Sequence, residues 1–540
     1  MKRWDGSSLF PAARRAERRP TQHRDRLLAA LLPAAALFLA ACVSVPPASH
    51  PDLQIDLPAG WTAAEDEAGG GAAPAWWTTF GDGRLDRIVE TALGNNHDLA
   101  AAAARVEAAG AQARVAGADL LPQASFTFNP QRARQNFPGL PFQTSSGGIV
   151  SATTTTIGAS LNLSWEIDLW GRLRARKAAA LVDAEAARVD LAGAHLSLAG
   201  QTAKAWFALV EAVEQVALAN EIVDNRSTSS RRIGRRYELG LRPALDLRFA
   251  MSAEASARAN LAAQERRLDA ARRQLNVLLA RYPDGSLQEE AGATSLPPLP
   301  APAPAGLPAE LVTRRPDLVA AERRLTSAGL GIKEARAALY PSFSLTGSVG
   351  RQSRELEQLT GGDFSVWRIA GSLLQPLFQG GRLRAGVELA EARYREQAES
   401  YVQSALRAFA EVETSLAAES WLRVQEEALA VAAEQSAAAR GLAETRYDAG
   451  LVDFLAVLEA QRDEALARSL LLAVRRQLLE TRIDLHLALG GGFRAHEAGG
   501  NDAAGGNDAA GANGEGGSTG DGPTDAAIFA ASVNDGEGAP

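Results

Sequence analysis

From Ile157 to Asp168 the chain alternates without a break. Ile157, Ala159, Leu161, Leu163, Trp165 and Ile167 are apolar, and Gly158, Ser160, Asn162, Ser164, Glu166 and Asp168 between them are small or polar. A period of two over about 11 residues predicts a strand with one oily and one wet face, long enough to cross a bilayer when tilted. Just after Leu121-Pro122, Phe126 and Phe128 alternate with Ser125 and Thr127, which predicts a partner strand. The pattern returns later: Phe343, Leu345 and Val349 alternate with Ser342, Ser344, Thr346 and Ser348. Its partner is expected around Phe364 to Phe378, less cleanly, since Arg368 and Pro376 fall inside it. Two soluble hairpins on a core are the alternative reading.

Elsewhere the period is helical. Leu85, Ile88, Val89 and Ala92 share a face; Asn95-Asn96-His97-Asp98 interrupts, with Asp98 expected to cap the next helix. Tyr394, Ala398, Tyr401, Ala405, Phe409, Val412 and Leu416 recur in steps of four and three, the spacing of a coiled coil. Trp206, Leu209, Val210, Val213 and Ile222 make a similar stripe in an earlier helix. Each of these helices is predicted to run about 66 residues, on the order of 100 Å.

The resemblance between the halves extends to spacing. Arg236 to Phe249, RYELGLRPALDLRF, has a near-copy in Arg446 to Gln461, RYDAGLVDFLAVLEAQ. Gly171-Arg-Leu-Arg recurs as Gly381-Arg-Leu-Arg, 66 positions before Tyr237 and Tyr447 respectively. The chain is therefore two tandem copies of one unit, far longer than a solenoid repeat. Gly240 and Gly450 sit where a long helix must end and reverse, in the left-handed conformation that glycine tolerates. The helices returning from these turns are expected over Ala244 to Arg281, stopped by Pro283-Asp284-Gly285, and over Asp453 to Leu489.

Composition sharpens the picture. Aromatics are only 6% and the net charge is −8, which favours helices packed through small side chains and argues against a nucleic-acid partner. His23, His50, His97, His195, His486 and His496 are scattered without a second ligand at metal spacing, and no glycine-rich phosphate loop carries a lysine. No metal, cofactor or enzymatic activity is expected. Arg24 and Arg26 precede the apolar run Leu27 to Ala41, which ends in Leu-Ala-Ala-Cys. That is a secretory signal, and a cysteine at this place resembles a bacterial lipobox. Cleavage before Cys42 and acylation of Cys42 would follow; a free buried thiol after an ordinary signal is the alternative. Val43 in place of an aspartate suggests delivery to the outer membrane.

The domain plan is then a signal peptide over 1–41, a lipidated tether over 42–74, a first repeat over 75–284, a Pro-rich linker over 285–305, a second repeat over 306–492, and a Gly/Ala/Asn/Asp-rich tail over 493–540 whose composition predicts disorder. The tail's GGND repeats lack the register and apolar anchors of calcium-binding nonapeptides.

The lipobox, AWWTTFGD from Ala75, LVTRRPDLVAAERRL from Leu311, and the paired Gly-Leu turns within a duplication occur in this order. Together they resemble the TolC-type outer-membrane efflux channels, in their lipoprotein branch, over Cys42 to Gly492. The fold class is mainly α with a membrane β-barrel portion, each repeat giving a long coiled-coil hairpin and two transmembrane strands. Four strands cannot close a barrel, and lipid does not tolerate an open edge, so copies must join. The resemblance implies a homotrimer with a twelve-stranded barrel and a helical tunnel in the periplasm. It implies a passive duct in a tripartite pump, with a periplasmic membrane-fusion adaptor and an inner-membrane pump, RND-type rather than ABC-type. Gly240, Leu241, Gly450 and Leu451 would be the tips that meet the adaptor. Asp453, Glu459 and Asp246 would form carboxylate rings of a gate, with Tyr447 and Arg446 tethering neighbouring coils when shut. Asp453 as a plain helix cap and Glu459 on a solvated face are the bland alternatives. A protein-secretion duct of the same fold and a poreless coiled-coil envelope lipoprotein remain as other functions.

Overall fold

A computed structural model describes residues 58, 60–63, 75–137, 150–287, 295–303, 305–306 and 308–493. Cys42, the signal, most of the tether and the tail lie outside the described residues.

Two short helices open the first repeat, α1 (Gly83–Asn95) and α2 (His97–Ala118). The break between them is capped by Asn96, whose carboxamide accepts from the backbone N–H of Asp98 and Leu99. Asp98 sits in the first turn instead, where its charge meets the helix dipole. Strands β1 (Gln123–Phe137) and β2 (Val150–Ile167) follow, then α3 (Arg172–Glu238) and its return α4 (Ala244–Leu278). The second repeat runs α5 (Pro308–Arg314), α6 (Pro316–Ala337), β3 (Ser342–Ser353), β4 (Ser365–Leu374), α7 (Arg382–Asp448) and α8 (Phe454–Ala488). Both α3 and α7 are uninterrupted for 67 residues, and α4 and α8 are 35 residues each.

The returns stop earlier than proline placement predicts. α4 ends at Leu278, ahead of Pro283, through a left-handed residue, Ala280 at φ 55°. The N–H of Arg281 then reaches back to the Asn276 carbonyl at 2.8 Å, so the chain closes the helix without help from the proline. The matching residue after α8 is Gly490 at φ 86°.

The strands form one antiparallel sheet in the order β1-β2-β3-β4, leaving β1 and β4 as edges. Its register puts Phe126, Leu161, Val349 and Trp367 in one row, and Ala124, Leu163, Gly347 and Ile369 in another on the same face. Ser125, Asn162, Ser348 and Arg368 line up on the opposite face, so Arg368 belongs to the wet side and interrupts nothing. Pro376 lies beyond the end of β4. β2, at 18 residues, outruns the expected length, because its first half is the polar Val150–Thr156 stretch paired with Gln131–Phe137. At the end of the sheet where the helices start, Trp170 stacks on Tyr340 and donates to the Pro341 carbonyl at 2.8 Å.

Below the sheet, α4, α3, α8 and α7 stand side by side in that order. The largest core forms where α1 and the one-turn helix Trp76–Phe80 cover α3, and contains Trp76, Phe80, Trp206, Phe207 and Ile483. The expected seam on α7 is buried or half-buried at every position from Tyr394 to Leu416. Trp61 docks on the second repeat: its indole donates to the Gly306 carbonyl at 3.0 Å, and the N–H groups of Thr62 and Ala63 both donate to the Glu413 carboxylate.

His486 stacks on Trp76 with ring centroids 5.3 Å apart, and its Nδ1 has no partner. Burial first, and the nearby Arg482 charge second, push its pKa down from 6.5 to about 4. It is neutral in the fold and gains a proton more readily when unfolded. The stability it contributes is therefore complete above about pH 6.5 and is lost as pH falls towards about 4, at up to roughly 1.4 kcal/mol per pH unit. The matching residue in the first repeat is Asn276. His486→Asn is expected to flatten this part of the pH dependence, read as the unfolding midpoint between pH 4 and 7.

Candidate conduction path and its tip

The sheet and the helix ends are the places where this architecture can meet lipid, solute and partner. The apolar rows of the sheet are exposed in the single chain, Trp367 at 76% and Phe126 at 72%. Residues of this kind do not stay in water; a lipid face satisfies them.

At the far end, both hairpins turn through the same motif. The N–H of Leu241 donates to the Arg236 carbonyl at 2.8 Å and that of Leu451 to the Arg446 carbonyl at 2.9 Å, with Gly240 at φ 72° and Gly450 at φ 75°. These hydrogen bonds back into the last turn, with those of the Gly240 and Gly450 N–H groups to the Tyr237 and Tyr447 carbonyls, require a left-handed residue at each glycine. Leu241 and Leu451 then project into solvent, at 68% and 74% exposure.

The two tips are joined within the chain. Tyr447 is 6% exposed and packs with Ile233, Ala250, Phe454 and Val457. The Arg242 guanidinium lies 4.3 Å over its ring and donates to its carbonyl at 3.2 Å. Arg236 pairs with Asp448 at 3.1 Å. Burial pushes the Tyr447 hydroxyl pKa up, with no hydrogen-bond partner for its oxygen. Arg446 is exposed, and the residue facing Tyr447 is Arg242, which the sequence reading did not single out. Its place in the second repeat is taken by Val452, so comparing the repeats marks it as unusual.

Asp453 caps α8, its carboxylate accepting from the Ala456 N–H at 3.0 Å. Glu459 is exposed on the next turns, and Asp246 is half-buried in the first turn of α4. Above the tip, charge also sits between the helices. Arg226 of α3 donates to Gln461 of α8, which donates to Glu444 of α7 at 2.7 Å. Glu464 is buried between Arg440 and Arg468, and Arg468 also binds Glu221. On the outside of the last turns of α3, Arg231, Arg232 and Arg235 are exposed; a shift of 210 positions places Gly441, Leu442 and Thr445 there in the second repeat.

The arginine of LVTRRPDL has an architectural task. Arg315 forks onto Asp317 at 3.0 and 2.8 Å, binds Glu411 of α7 at 2.6 Å, and donates to the Ala488 carbonyl at the end of α8. It ties the start of α6 and the end of α8 to the middle of α7.

The outer membrane efflux protein family matches residues 88–281 and 307–491, one match for each repeat. The chain belongs to this family. This efflux protein is 35% identical over 475 residues to the pyoverdine export outer membrane protein OpmQ of Pseudomonas putida, covering 86% of this chain and 97% of that one. It is 32% identical over 476 residues to the toluene efflux pump outer membrane protein TtgF of Pseudomonas putida, covering 85% and 96%. Its fold matches the outer-membrane channel OprN with a TM-score of 0.75 at 27% identity, over 83% of this chain and 98% of that one. The efflux protein is thus an outer-membrane component of efflux systems, a β portion joined to a long helical body.

Proposed function

We propose that this chain forms the exit duct of a tripartite efflux pump as a homotrimer, with twelve strands closed in the outer membrane and the long helices forming a tunnel in the periplasm. The observation that carries it is the sheet: one face that is apolar over the rows nearer the helices, an opposite face that is mostly polar, and two unpaired edges. Such a sheet satisfies its edge N–H and C=O groups in lipid only by joining further copies. A periplasmic adaptor meets the tips, where Leu241 and Leu451 offer exposed apolar contacts, and an inner-membrane pump of the RND type supplies the energy. The relatives export pyoverdine and toluene, two chemically unlike compounds, so cargo choice rests with the pump and this duct passes small molecules in general. The purified chain should run as a trimer that resists detergent and should conduct ions in planar bilayers. A monomer that conducts nothing overturns the reading.

The gate lies at the tip. Asp246, Asp453 and Glu459, repeated in three copies, put carboxylates around the narrow end, which favours cations. Asp453→Ala with Glu459→Ala is expected to raise single-channel conductance and weaken cation preference; unchanged conductance and selectivity would reject these residues as the gate.

Cys42 carries the lipid anchor. The 18 residues from Val43 to Gly60 reach at most about 60 Å. Trp61 docks beside Phe409, about 40 Å of helix below the start of α7. The tether is therefore long enough for an acylated Cys42 to sit in the membrane while Trp61 stays docked. Mass spectrometry of the mature N-terminus tests this, with a triacylated Cys42 as the expected first residue.

A further inference from the structure

Beyond the end of β3, β1 and β2 continue as a ribbon of two strands. Residues 131–137 pair with 150–156 above the last row that β3 reaches. From 123 to 165 the sequence holds two charged residues, Arg132 and Arg134, and no carboxylate. The acidic residues nearest this end, Glu355, Glu357 and Asp363, stand in the connection between β3 and β4. Charge that only blunts the free edge of a ribbon would serve in either sign and on either face. These two arginines share both sign and face.

The pairing register puts that face on the lipid side. Arg132 and Arg134 alternate in step with Ala124, Phe126 and Phe128, and stand opposite Thr155 and Thr153. The Arg134 side chain follows suit: its Nε and Nη2 donate to the hydroxyl of Ser151, on the same face, at 3.2 and 3.0 Å. On β3, Arg351 stands in the row of Phe128 and Ala159. Its guanidinium turns to the same end, donating to the Leu359 carbonyl in the β3–β4 connection at 2.9 Å, as a long basic side chain does at the edge of an apolar layer.

The heights match a bilayer. The apolar positions of β2 run from Ile157 to Ile167, ten residues apart. At about 3.4 Å each and a tilt of about 40° they rise about 26 Å, close to the roughly 25 Å apolar band of a membrane barrel. Arg132 lies two residues past the row of Pro130 and Ile157, about 5 Å above that band, and Arg134 lies about 10 Å above it. The headgroup layer is about 5–7 Å deep on each side, so both guanidiniums come within reach of it.

We propose that Arg132 and Arg134 form a site for the phosphate groups of anionic lipids in the outer leaflet, with Arg351 beneath them. This rests on the membrane-spanning trimer proposed above, whose helices point into the periplasm and whose ribbons therefore reach the outer surface. The two arginines are about 7 Å apart along one strand face, and their guanidiniums can fork onto the oxygens of one phosphate. Three copies then hold a ring of headgroups and fix the depth at which the barrel sits.

The test uses the full-length trimer in neutral detergent, with lipid A, a phosphate-bearing glycolipid, as the probe. Lipid A should raise the temperature at which the trimer dissociates, and the shift should shrink with added salt. The same lipid stripped of its phosphates, and inorganic phosphate at equal concentration, should produce no shift. Each basic residue at an anionic surface is worth about fivefold in affinity, so Arg132→Gln with Arg134→Gln should need about 25-fold more lipid A for the same effect. Arg132→Lys with Arg134→Lys should keep most of the affinity. An unchanged titration in the glutamine variant, or an equal shift from the stripped lipid, overturns the site and leaves the duct standing. A shift from inorganic phosphate alone overturns the lipid as its occupant. A wild-type chain that is monomeric and silent in bilayers overturns both readings.

Discussion

Glu419→Ala is expected to destabilise the helical body by about 3–5 kcal/mol, the range for breaking a buried ion pair on one side. Arg482 is fully buried, and its guanidinium forks onto Glu419 at 2.8 and 2.6 Å. Its remaining nitrogen donates to the carbonyls of Pro300 and Ala301, so it also holds the linker between the repeats. Burial works to raise the Glu419 carboxyl, yet the guanidiniums of Arg482 and Arg423 outweigh it and hold its pKa below the usual value. Removing the carboxylate leaves Arg482 charged and buried, with only two carbonyls for company. Replacing both partners, as Glu419→Leu with Arg482→Met, removes the desolvated charges together and should recover most of the loss. Unfolding midpoints of the two single variants and the double in detergent give the coupling directly.

Gly490→Ala is expected to cost about 2–5 kcal/mol. Its φ of 86° alone penalises a side chain by roughly 1–2 kcal/mol. A Cβ there would also overlap the carbonyl oxygen of Arg314 and lie 2.8 Å from its carbon, and crowding of packed backbone adds about 1–3 kcal/mol. Relief would have to shift the strand of chain that carries Arg315, and with it the clamp on Asp317, Glu411 and Ala488. The first repeat supplies the control. Ala280 holds the same left-handed place at φ 55°, so Ala280→Gly should raise stability by at most about 1 kcal/mol. The two substitutions should move the unfolding midpoint in opposite directions.

Much of the architecture was legible because its signals are local. Period-two alternation revealed three of the strands, the repeated turn fixed the hairpins, and three-four spacing found the α7 seam. The fourth strand was blurred by Arg368 and Pro376, and only the pairing register shows that one faces the wet side and the other lies outside. The upper half of β2 was invisible, since Ser151 to Thr156 are nearly all polar and carry no face of their own. Asp98 has the residue type of a cap, yet Asn96, two positions earlier, is the residue that caps, because both types serve and the phase of the helix start decides. The tip contact was less accessible still. Arg242 matters through Tyr447, 205 positions away, and nothing in the spacing of one hairpin announces what the other brings to it.

The duplication also sets what an end-on partner encounters. The tips of the two hairpins share one backbone shape, yet Arg231, Arg232 and Arg235 crown only the first. In the trimer proposed above, six fingertips of equal form would therefore alternate round the mouth between a cationic kind and a nearly neutral kind. A docking protein with threefold spacing can choose between them by charge, whereas one with six equal arms must suit both.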